Sequence, residues 1–188
     1  MMRFTMKSYL TKKKVRDRYV LDNIPSGTKI FVDTNILYLF LRGHYMEDKS
    51  HTILRFMERL ENRDLTGVTT VHILEELIFQ LIIAKGSEIF YIPKEKRMNI
   101  LKEYEKNPKV YLDVVKTVRT FLRYLSEIIQ IYNITADLLF NAVHFMNLYF
   151  LKPSDALVVA CMFKFRIKNI ASNDNDFDRV NWIVRWRV

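Results

Sequence analysis

Lys29-Ile30-Phe31-Val32-Asp33-Thr34-Asn35-Ile36-Leu37-Tyr38-Leu39-Phe40 is the stretch on which the reading of this chain turns. Ile30, Phe31 and Val32 have the continuous apolar character of a strand buried on both faces, and the run stops abruptly at Asp33. A carboxylate thus stands at the carboxyl end of a strand. In open α/β sheets that edge is where ligands bind, which suits an acid used for chemistry or for metal. Asp, Thr and Asn are also good helix N-caps, and the stretch alone leaves both readings open.

The rest of the chain sets the frame. With 188 residues, 49% of them hydrophobic, and only four Gly and four Pro, it is expected to form one domain rich in long helices. A lone cysteine, Cys161, lies inside an apolar run and cannot form a disulfide within the chain, which suits a reducing cytoplasm. No apolar stretch has the length of a membrane span, so no membrane partner is expected. The net charge is +9, and residues 1–28 carry seven Lys or Arg against two Asp, a net of +5. We therefore divide the chain into a basic N-terminal arm, 1–28, and a single domain, 29–188. The arm, with Lys12, Lys13, Lys14 and Arg16 at its centre, suits either a nucleic-acid backbone or a solubilising tail.

Beyond the first strand the apolar periodicity predicts helices over 35–41 (closed by Gly43), 53–62 and 71–84, with a brief strand over 67–69. The helix over 71–84 is apolar nearly all round and is expected to be largely buried, so its polar stripe His72, Glu76 and Gln80 needs a reason. Glu76 is either a partnered structural acid or part of a charged site. Residues 86–130 read as a helical elaboration. Its second helix shows Lys116, Arg119 and Arg123 on one face, either plainly solvated or, if it borders an acidic site, a surface for RNA. Strands are expected at 131–134, 169–171 and 182–184. Helices are expected from Thr135 to Phe150 and after Pro153, the latter carrying Asp155 in its first turn.

Alternating strands and helices argue for a parallel sheet, whose strand ends share one edge. Asp33, Glu76, Asp155, Asp174 and Asp176 all fall at or beside that edge. Carboxylates gathered there push protons onto one another unless a cation intervenes. Hard oxygen donors select Mg²⁺ or Mn²⁺, and there is no His/Cys cluster with zinc spacing. Asp174, Asp176 and Asp178 imitate the start of a calcium loop, but Arg179 and Arg185 stand where that loop needs Gly and Glu. Neither a glycine-rich phosphate loop nor a Ser/His/Asp spacing is present.

The motifs Val32-Asp33-Thr34-Asn35, Thr69 through Leu77 around Glu76, Ser154-Asp155-Ala156-Leu157 and Ser172-Asn173-Asp174-Asn175-Asp176-Phe177, in this order, resemble the PIN-domain family of metal-dependent nucleases. The resemblance spans about Lys29 to Val184. It implies a three-layer α/β fold with a central parallel sheet of about five strands, and hydrolysis of RNA by Mg²⁺ or Mn²⁺. It also implies metal ligands at Asp33, Glu76, Asp155 and Asp174, with Asp176, Asn35 and Thr34 as auxiliary residues. Many small relatives are toxins of VapBC-type pairs, often homodimeric, so an antitoxin and a second copy are implied partners. The long basic arm and the 86–130 helices depart from a minimal toxin, and a housekeeping RNA-processing nuclease or a weakly catalytic RNA-binding module are the alternatives.

Overall fold

Ile30, Phe31 and Val32 are fully shielded from solvent and form most of β1 (Lys29–Val32), the middle strand of the sheet. The computed structural model describes residues 19–42 and 47–188. Beside β1 lie β2 (Thr66–Thr70), β3 (Ile129–Tyr132), β4 (Asn169–Ala171) and β5 (Val184–Trp186), in the order β3-β2-β1-β4-β5. Every pairing is parallel, with Phe31 between Val68 and Ile170. Among the described residues, α1 (Thr34–Arg42), α2 (Glu47–Glu61), α3 (Val71–Phe90), α4 (Arg97–Lys106), α5 (Pro108–Ile128), α6 (Ala136–Tyr149) and α7 (Pro153–Lys164) make the crossovers. The fold is therefore α/β with a five-stranded parallel sheet, as the buried strands and alternating helices required.

The order of strands positions the site. From β1 the chain steps outward to β2 and β3, then crosses back to β4 and β5, so its direction reverses beside β1. Right-handed crossovers place the helices of the two halves on opposite faces, and the strand ends at such a reversal leave a crevice. Here that crevice opens between the ends of β1 and β4.

The packed domain begins before Lys29. Leu21 and Ile24 are buried in the main core, Val20 bridges to Arg187, and the Tyr19 ring meets Trp186 edge-on at 5.5 Å. Residues 19–21 thus run beside the end of β5, while Gly27 and Thr28 bond to Asp64 and Thr66 at the entry to β2. The more basic stretch with Lys12, Lys13, Lys14 and Arg16 lies outside the described residues, as does Gly43.

The helical elaboration carries a small core of its own, built on Ile83, Ile100, Tyr104, Val114 and Val118. Gly86 lets α3 and α4 approach closely, because a Cβ there would run into Ile100 and stand 2.8 Å from the Tyr104 ring. Tyr104 adds a hydrogen bond from its hydroxyl to the Ile82 carbonyl at 3.0 Å.

Three local expectations are corrected. The third strand starts two residues earlier than 131, because α5 passes directly into β3 at Ile129 and Gly67 pairs with Ile129. The last strand is Val184–Trp186 and not 182–184: the run Trp182 to Trp186, apolar but for Arg185, holds both stretches, and the partner β4 selects the later one by pairing Asn169 with Val184. The helix over 71–84 continues to Phe90 and is only half-buried, with Val71, Phe79 and Ile89 exposed. Its neighbours α1, α4 and α5 cover part of its circumference, and the rest faces solvent.

Candidate metal centre at the strand ends

Each acid reaches the crevice by a separate local device. Asp33 follows β1 directly, and its backbone N–H donates to the Ala171 carbonyl at 3.1 Å, tying the ends of β1 and β4 together. Its own carbonyl receives the N–H groups of Ile36 and Leu37, starting α1. The carboxylate is buried, and three donors hold it: the Thr34 N–H at 2.7 Å, the Ser172 hydroxyl at 2.6 Å and the Asn35 amide. The Asp33 backbone thus starts α1, while its side chain is held at the strand end.

Glu76 lies one turn into α3, whose N-cap Thr70 accepts the Ile73 N–H. It is half-buried while Glu75 is exposed, so the helix phase separates the two neighbours. Thr34 Oγ1 donates to Glu76 Oε2 at 3.0 Å, and Gln80 Nε2 to Oε1 at 2.9 Å. The stripe mate His72 instead lies 3.0 Å from the Ser154 hydroxyl. Pro153 opens α7 and brings Asp155 into its first turn. Asp174 follows β4 and accepts the Asp176 N–H at 2.8 Å, capping a short 3₁₀ turn over 175–179.

Asp155, Asp174 and Asp176 converge most closely, each offering an oxygen within 4.8 Å of the other two. Asp33 and Glu76 stand beside this group, near enough for their charges to be felt. Burial pushes the Asp33 carboxyl up to about 6, its hydrogen-bond donors partly offset this, and Glu76 and Asp155 raise it further. Asp155 is likewise pushed up to about 6, first by burial and then by Asp174. One oxygen of Asp155, Oδ2, is buried without a hydrogen-bond partner among the described residues. A buried carboxylate oxygen left unpaired is costly, and a cation would satisfy it. The donor set fits the ion expected from it: all carboxylate, no sulfur, and crowded enough to resist ionising together.

Two further parts were not read from sequence. Ser172, fully buried, is the hinge of the site: its hydroxyl donates to Asp33 and accepts both the Asp174 N–H and the Asn35 amide, each at 3.0 Å. Asn35 in turn accepts the Asn173 N–H at 3.0 Å. A single serine after a strand carries no signal of this, although its position between β4 and Asp174 would repay scrutiny. The second part is a pair of cations, Lys152 and Arg179, each 3.1 Å from a different oxygen of Asp176. The two cations offset part of the charge of Asp176, and Lys152 also acts on Asp155 and Asp174. On α5, Lys116, Arg119 and Arg123 are exposed as expected, but Lys116 pairs with Asp113 at 2.8 Å and not with the acidic crevice.

Known proteins share both the sequence pattern and the fold. A Methanocaldococcus jannaschii protein named Ribonuclease VapC2 is 29% identical over 155 residues, covering 82% of this chain and 91% of that relative. The Rickettsia felis VapBC2 structure, solved with a DNA fragment from its promoter, contains a similar fold at a TM-score of 0.50 and 15% identity, over 85% of this chain and 98% of that one. The family model for the PIN domain matches residues 30–183, from the central strand to the turn before the last one, and the chain belongs to that family.

Proposed function

We propose that this protein is a divalent-metal-dependent endoribonuclease, and that it acts as the toxin of a VapBC-type pair. The observation that carries the nuclease reading is Asp155, whose buried, unpartnered oxygen stands beside Asp174 and Asp176 at the reversal point of the sheet. The kinship with a protein named Ribonuclease VapC2 supports RNA as the substrate and an antitoxin as the partner. The setting is the cytoplasm, in keeping with a buried free thiol at Cys161 and with no described helix long and apolar enough to cross a membrane.

Asp33, Glu76, Asp155 and Asp174 would hold Mg²⁺ or Mn²⁺, which when bound supplies Lewis-acid activation of water and neutralises charge on the phosphate. The chain's own groups do the rest. Ser172, Asn35 and Thr34 lock the Asp33 and Glu76 carboxylates in one orientation, so little reorganisation is needed when substrate arrives. Thr34 and Gln80 each hold one oxygen of Glu76 and so fix its carboxylate, which would orient the attacking water. Lys152 and Arg179 place two cations at the rim and offset the repulsion between the acids and the incoming phosphate.

The test is cleavage of an end-labelled single-stranded RNA by the purified protein with Mn²⁺ or Mg²⁺, against an EDTA control and the variants Asp33→Asn, Asp155→Asn and Asp174→Asn. Cleavage confined to the metal-loaded wild type supports the reading, and full activity in any variant removes that residue from the ligand set. Growth arrest on expression, relieved by the product of a neighbouring small reading frame, tests the toxin assignment separately.

A further inference from the structure

A cleft of about 240 Å³ opens between α1, α3 and the link from α3 to α4, and the chemistry above makes no use of it. Two aromatic rings wall it, Phe79 with a guanidinium near its face and Tyr38 with an ammonium at its hydroxyl. Lys94 Nζ lies 5.7 Å from the Tyr38 ring centre, and Arg97 Cζ lies 5.8 Å from that of Phe79. Lys94 also donates to the Tyr38 hydroxyl oxygen at 3.0 Å. Gln80 lines the same cleft and donates to Glu76 at 2.9 Å, so a single side chain separates the cleft from the acidic centre. Among the described residues neither Lys94 nor Arg97 forms an ion pair.

We infer that this cleft is a nucleotide subsite: it takes one unpaired base of the RNA whose neighbouring phosphate lies at the acidic centre. The inference rests on the nuclease reading above. An unstacked base is recognised by aromatic faces and guanidinium planes, and the Phe79–Arg97 pair offers both in one place. Phe79 is 37% exposed, so its ring is reachable from solvent. The base belongs inside, where the Tyr38 and Phe79 rings line the cleft. Lys94 then holds the backbone at the mouth. Charge favours RNA over an apolar protein segment here, since two cations face one carboxylate in a chain of net charge +9. The segment from 91 to 97 belongs to the helical elaboration, which thereby gains a role in choosing where the strand is cut.

The affinity of the full-length protein for a short, fluorescein-labelled single-stranded oligoribonucleotide is measured in EDTA, where no cleavage occurs. The measurement is repeated with an abasic nucleotide moved through each position. One abasic position should weaken wild-type binding about tenfold, the usual scale for one stacked base. Phe79→Ala should weaken binding of the intact strand by a similar factor and show no added loss at that position, while Phe79→Trp keeps wild-type affinity. Lys94→Ala should flatten the salt dependence by about 0.7 in log–log slope, the value for one neutralised phosphate on a single strand. An abasic penalty of the same size in wild type and Phe79→Ala overturns the inference. If the wild type nevertheless cleaves RNA with Mn²⁺, the subsite alone falls and the cleft passes to a protein segment. A wild type that neither binds nor cleaves RNA removes the nuclease reading, and the subsite with it.

Discussion

At the scale of single residues, the two carboxyls pushed to about 6 differ in how they are held. Asp33 has three donors on its carboxylate, so Asp33→Asn would turn an amide N–H₂ toward groups that already donate. Asp155 has a buried oxygen with no partner and two acids at its side, so Asp155→Asn relieves repulsion and breaks no hydrogen bond to that oxygen. Differential scanning calorimetry of the metal-free proteins should show Asp155→Asn melting above wild type and Asp33→Asn at or below it. The two glutamates separate in the same manner: Glu76→Gln should cost far more cleavage activity than Glu75→Gln, since Glu76 faces the crevice and Glu75 is exposed. Equal losses in matched assays would show that the helix phase is misassigned.

The raised carboxyl of Asp33 also sets a pH dependence. Its value in the folded protein, about 6, stands above the ordinary 3.8, so the folded state takes up its proton more readily than the unfolded one. The stability this confers is complete below pH 4 and is lost as pH rises toward and through 6. Its upper limit is about 3 kcal/mol, from roughly 1.4 kcal/mol for each pH unit of displacement. Urea unfolding of the metal-free protein should therefore show lower stability at pH 7.5 than at pH 5. Mn²⁺ should restore stability at pH 7.5 and do less at pH 5, where protons compete for Asp33 and Asp155. A metal-free stability that rises from pH 5 to 7.5 would show that the crevice is far better solvated than its burial indicates.

At the scale of elements, the α3–α4 contact depends on Gly86. An added methyl meets Ile100 and Tyr104 in a small core, where neither can retreat without disturbing the other. Gly86→Ala should destabilise the protein by about 1–3 kcal/mol, the usual cost of overpacking, even though Ala is the better helix former. Mn²⁺ affinity, read by calorimetric titration, should change little, because Glu76 stands ten residues earlier on α3 and the other acids proposed to hold metal lie on other elements. A stabilised Gly86→Ala would mean that the two helices have room to separate.

At the scale of the whole molecule, the basic residues before Tyr19 and the packed residues Leu21 and Ile24 can be tested separately by deletion. Deleting residues 2–18 removes seven basic residues and one Asp, and it should weaken RNA binding and flatten its salt dependence by roughly 0.7 for each phosphate the arm neutralises. Extending the deletion to residue 28 also removes Leu21 and Ile24 from the main core and should lower the melting temperature sharply. Equal RNA affinity and slope for the shorter deletion would give the arm another partner, a second copy or an antitoxin among them.

The class of fold was legible in the sequence, and the candidate acids could be named from it, because both depend on short-range pattern. Ile30-Phe31-Val32 followed by Asp33 specifies a buried strand ending in a charge, and helical spacing alone separates Glu76 from Glu75. Other features required the tertiary structure. The run Trp182 to Trp186 holds two candidate strand stretches, and only pairing with β4 selects one. Ser172 became the hinge of the site because the reversal of chain direction sets the end of β4 against the end of β1, 139 residues away in sequence. Lys152 and Arg179 could not be assigned to Asp176 from spacing, and Phe79 read as core until the packing of α3 left one side of it open. Periodicity records which face of an element is apolar, but it holds no information about which neighbour covers that face, and the site of this protein is made where the neighbours meet.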